Sequence, residues 1–87
     1  MRRRDLLRAA MTGPLIAGLS DEERATLERV AHTGSPAAVR AAILLACTEP
    51  VPAPRIARRL GVSQRAVLRA AWRYHQHGVD ELVNPLA

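Results

Sequence analysis

Apolar residues recur at helical spacing along most of this chain, and no stretch alternates as a half-buried strand does. Ser20-Asp21-Glu22-Glu23 reads as a capping box: a Ser hydroxyl accepts from the backbone three residues on, and the Glu there reaches back. Leu27, Val30 and Ala31 follow on one stripe, which predicts a helix over 21–32 with Gly34 just past its end. Ser35-Pro36 then places a helix-favouring Ser cap and a first-turn Pro before Val39, Ala42, Ile43 and Ala46, which share one face of a second helix ending near Thr48. Prolines at 50, 52 and 54 predict a stiff, extended connection. A short third helix is expected over 54–60, apolar at Ile56, Ala57 and Leu60. Gly61 ends it, Val62 turns toward the core, and Ser63 caps a fourth helix over 64–77 that Gly78 stops. On that helix Val67, Ala70, Ala71 and Tyr74 point inward, and a last turn is expected at 80–82. The pattern is that of an all-α protein: a small bundle of four to five helices.

Composition narrows how such a bundle is filled. The chain has 87 residues, the size of one small domain, and only Trp72 and Tyr74 are aromatic. A chain this small buries only about 60% of its unfolded surface. Its core must therefore come from aliphatic side chains and close-packing alanine. Cys47 is the sole cysteine, so no internal disulfide can form, and its place in an apolar run predicts a small core residue. The basic residues are all arginine; with the many alanines this points to a GC-rich bacterial genome.

Charge is unevenly placed. Residues 51–77 hold six arginines and no acid, whereas residues 1–50 nearly balance seven arginines against six acids. A solvated helix face usually mixes signs; basic charge gathered on one element is the footprint of a polyanion partner.

The N-terminal segment, residues 1–18, stands apart from a domain spanning 19–87. Its Arg-Arg-x-Leu-Leu-Arg is similar to a twin-arginine export signal. Against that, Arg8 and Gly13-Pro14 interrupt the apolar run, no Ala-x-Ala site follows, and the run is too short to span a bilayer. The preferred reading is a short amphipathic helix over 4–11 packed on the domain, with Arg2, Arg3 and Arg4 as a candidate basic arm toward nucleic acid.

"IARRLGVSQRAVLRA" has the layout of a helix-turn-helix. Ala57 is small where two helices cross, Gly61 supplies a left-handed turn, Leu60, Val62 and Val67 lock the pair, and Ser63 caps the second helix. Together with "LSDEERATLERVAHTG", "AAVRAAILLA" and the trailing "HGVDEL", this order of segments resembles the N-terminal DNA-binding part of mariner-like bacterial insertion-sequence transposases, over about residues 19–83. The resemblance implies a homeodomain-like fold. Ala70 stands where such domains often carry Trp, and Pro52 and Pro54 replace a polar cap. The family's catalytic domain, with its three metal-binding carboxylates, would begin beyond residue 87, so the resemblance implies DNA binding and not transposition.

In this motif the second helix enters the major groove and its first half reads bases. The expected readers are Gln64, Arg65, Leu68 and Arg69: arginine suits guanine, glutamine suits adenine, and leucine suits a thymine methyl. Arg55, Arg59, Ser63 and Arg73 are the expected phosphate contacts, and Arg58 fits either group. No catalytic or metal site is expected. His75 and His77 stand two apart, not four, and no nucleophile has an evident base. The resulting expectation is a cytoplasmic bacterial protein without a cofactor or membrane contact that binds specific double-stranded DNA, as a small transcriptional regulator. Its candidate homodimer contact is residues 6–19, since pairing would add a second half-site about 34 Å away. The alternatives are a truncated or domesticated transposase fragment, a protein-interaction module on the same fold, and an exported protein.

Overall fold

A computed structural model describes residues 14–79. Among these residues the chain is all-helical, with four helices in the order α1 Asp21–Ala31, α2 Ala37–Ala46, α3 Ala53–Leu60 and α4 Gln64–His77. The helix expected over 4–11, the basic arm at 2–4 and the turn at 80–82 lie outside the described residues.

The capping box forms as its sequence implies. The Glu23 backbone N–H donates to Ser20 Oγ and the Ser20 N–H donates to Glu23 Oε1, both at 3.0 Å. The other end differs from expectation. Gly34 is not left-handed; positive φ among the described residues is confined to Gly61 and Gly78. Thr33 closes α1 instead, donating both its N–H and its hydroxyl to the Val30 carbonyl. Ser35 does not cap α2 either. Pro36 takes the cap position with helical angles, and Ser35 Oγ pairs with Thr33 Oγ1 at 2.8 Å.

α2 packs against all three other helices. That central place explains why it is apolar nearly all round, with Ala41, Ile43, Leu44 and Ala46 buried on it and Cys47 buried just beyond. The single face proposed through Val39, Ala42, Ile43 and Ala46 is therefore too narrow. Val39, in the first turn, points out and is 53% exposed. Burial pushes the Cys47 thiol pKa up to about 12, so it behaves as a small apolar residue.

Leu15 and Ile16 are fully buried in the same core as Leu27, Ile56 and Val67. The strap that carries them is tied at two points. The Ile16 N–H donates to the Cys47 carbonyl at 3.2 Å, and His75 Nε2 lies 2.9 Å from the Leu15 carbonyl. Leu15 and Ile16 thus belong to the core cluster that the four helices share. Of the dimer contact expected of residues 6–19, Leu15 and Ile16 are inside their own chain's core, and residues 6–13 lie outside the described residues.

Candidate nucleic-acid interface

α3 starts on proline without strain. Pro52 sits in extended backbone at the cap, and its carbonyl accepts from the N–H groups of Arg55 and Ile56. Pro54 falls in the first turn, where its missing N–H would have had no partner within the helix. Ala53, Ile56 and Ala57 turn into the core, which leaves Arg55, Arg58 and Arg59 exposed.

The chain between α3 and α4 is three residues long. Gly61 is left-handed at φ 69°, ψ 33°, and open space surrounds the position of a Cβ there, so glycine is needed for backbone conformation and not for room. The Val62 N–H reaches back to the Ala57 carbonyl at 3.0 Å, which closes the last turn of α3. Ser63 caps α4: its Oγ accepts from the Ala66 N–H at 3.0 Å. The hydroxyl expected to meet phosphate therefore already caps the helix, although Ser63 itself is exposed.

α4 divides cleanly. Val67, Ala70 and Ala71 are buried, with Tyr74 half-buried on the same side. At about 100° per residue, Arg65 and Arg69 fall opposite that side and Arg73 close beside them. All three are exposed, as is Gln64. From Arg65 to Arg73 the stripe runs about 12 Å along the axis, comparable to the roughly 12 Å width of a major groove. Leu68 departs from this set. It lies only one helical step, about 100°, from Val67, and it is half-buried and packed against the core. Leu68 is thus a half-buried flank residue of the bundle, outside the exposed arginine stripe. Trp72 is half-buried against the same core, and Ala70 is small and buried.

The expected phosphate contacts are not equivalent. Arg59 is held by Glu49 in a two-pronged ion pair, Nη1 to Oε1 at 3.2 Å and Nη2 to Oε2 at 2.8 Å. The side-chain hydrogen bond and the opposite charge hold the Glu49 carboxyl below the ordinary carboxylate range and raise the Arg59 guanidinium. Arg73 also has an interaction of its own. Arg55, Arg58, Arg65 and Arg69 form no hydrogen bond or ion pair among the described residues.

Two polar contacts escape a reading of periodicity. The Tyr74 hydroxyl donates to Glu23 Oε2 at 3.1 Å, so the carboxylate that caps α1 also ties α1 to α4. Burial first, then the bond and charge of Glu23, raise the Tyr74 pKa. His75 meets the strap at Leu15 and packs edge-on with Tyr74. The described acids other than Glu49 all lie on α1, so Glu49 is the one carboxylate in the half of the described chain that carries α3 and α4. No helix among the described residues is long and apolar enough to cross a membrane. Comparison of the chain with known protein families, with curated proteins and with solved structures finds no match.

Proposed function

We propose that this chain binds double-stranded DNA through α3 and α4, with α4 in the major groove, and that it acts as a sequence-specific regulator of transcription. The observation that carries the reading is the outer surface of these two helices, whose own residues include no acid. Arg55, Arg58, Arg65 and Arg69 stand exposed with no partner among the described residues, on helices whose other faces form the core. Arginines that meet no carboxylate among the described residues have no structural task there that explains them. They suit a polyanion of regular geometry.

The left-handed Gly61, the Ser63 cap and the buried Ile56, Ala57 and Val67 support a helix-turn-helix. The motif order similar to mariner-like insertion-sequence transposase N-terminal domains points the same way. Gln64, Arg65 and Arg69 are the base readers in this proposal. Arg55 and Arg58 contact phosphate, with Arg73 at the far end of the stripe. Anisotropy of a labelled mixed-sequence duplex, titrated at several salt concentrations, tests the reading. It predicts binding that weakens linearly in log salt, with a slope of several units. An absence of duplex binding at low salt, with capture of a specific protein in its place, supports the same fold used as a protein-interaction module.

A further inference from the structure

We propose that Glu49 is a built-in restraint on DNA affinity: it holds Arg59 in a two-pronged ion pair that a DNA phosphate must displace. The inference rests on the DNA-binding reading and assigns one residue a task within it. Arg59 sits in the last turn of α3, two positions before Gly61, at the junction leading to α4. Glu49 reaches it from the connection after α2, ten residues earlier in the chain.

Three observations fit this task. Glu49 is the one described acid outside α1, and it is paired with an arginine of the basic surface. The pair is reachable by solvent, since both side chains are 47% exposed. A bond of that kind contributes little to folding. Finally, a carboxylate and a phosphate diester offer guanidinium the same two-oxygen edge, so they compete for the same donors. When phosphate takes Arg59, the displaced carboxylate is left beside the incoming negative charge, which opposes binding a second time. Arg55 and Arg58, on the same helix, meet no such competitor among the described residues.

The test compares the wild type, E49Q, R59A and the double variant on a mixed-sequence duplex across a salt series, with thermal melting to confirm that each is folded. Glutamine keeps the shape and removes the charge. E49Q is expected to bind several-fold tighter at low salt and to steepen the salt slope by about one unit. Between about 50 and 200 mM salt its affinity should then fall about 3.5-fold more than that of the wild type. R59A, which leaves the Glu49 charge unpaired beside the duplex, should bind more weakly than the wild type, and adding E49Q to it should gain less than E49Q gains alone. E49Q that binds no tighter, or more weakly, overturns the restraint while the DNA reading stands. An equal gain in the R59A background overturns the pairing mechanism and leaves a general charge effect. If no variant binds duplex at low salt, the DNA reading fails and takes this inference with it.

Discussion

Replacing Ile16 with Ala asks whether the strap before α1 belongs to the folded domain. Ile16 is 0% exposed and packs in the cluster that joins α1, α2, α3 and α4. The substitution removes three carbons, worth about 2.4 kcal/mol at about 0.8 kcal/mol per buried methylene. The cavity left behind brings the expected loss to about 2–5 kcal/mol. A chain of this length has a total stability of about 4–13 kcal/mol, so the change removes a large fraction of it. At about 4–8 °C per kcal/mol for a small domain, the melting midpoint should fall by at least about 10 °C. The backbone bond from Ile16 to Cys47 survives the change, so the loss reports side-chain burial. Val39→Ala is the matched control, because Val39 is 53% exposed and should cost less than about 0.5 kcal/mol. Thermal and urea unfolding followed by helical circular dichroism measure both. An Ile16→Ala midpoint equal to that of Val39→Ala would refute the placement of the strap in the core.

Arg69→Ala should cost about 1–3 kcal/mol of binding and relax base preference at one position; selection from a randomised duplex shows it, and an unchanged preference removes Arg69 from the readers. Gly61→Ala should destabilise by about 1–2 kcal/mol, because its left-handed backbone opposes a Cβ even in open space; urea unfolding with no loss contradicts that turn. The Glu23 carboxyl is held below its ordinary range, first by the Ser20 backbone N–H and also by the Tyr74 hydroxyl, with burial opposing. The stability this contributes is fully present above the unfolded-state carboxyl pKa of about 4.3 and is lost as pH falls through the lower folded value. Glu23→Gln should therefore flatten the acid side of the stability profile, and a parallel profile would show that Glu23 does not carry it.

Features set by neighbouring residues could be read from the chain directly. The Ser20–Glu23 box, the Gly61 turn, the Ser63 cap and the inward face of α4 each depend on spacings of five residues or fewer, and each appears as expected. Features set by tertiary packing could not. Val39 and Ala42 fit a helical stripe, but α2 is surrounded, so its buried positions encircle it and its first turn protrudes. Leu68 is among the outward positions expected on α4, yet one helical step from Val67 leaves it half-buried on the flank. Leu15 and Ile16 lie among glycines and proline with no periodic signal. The available clue was the shortage of aromatic residues, which leaves a small core in need of large aliphatic side chains from elsewhere. The pairs Tyr74–Glu23 and Arg59–Glu49 join residues 51 and ten positions apart, with nothing local to mark them.

The central claim is that the arginines of α3 and α4 meet the DNA duplex and that α4 reads its sequence. Selection of bound duplexes from a random pool, read alongside the salt dependence of the selected sites, tests this most directly. One short motif should be enriched, with guanines among its contacted positions opposite Arg65 and Arg69, and affinity should fall steeply with salt. A pool that stays random, or a chain that leaves duplex DNA unbound at low salt, would contradict it.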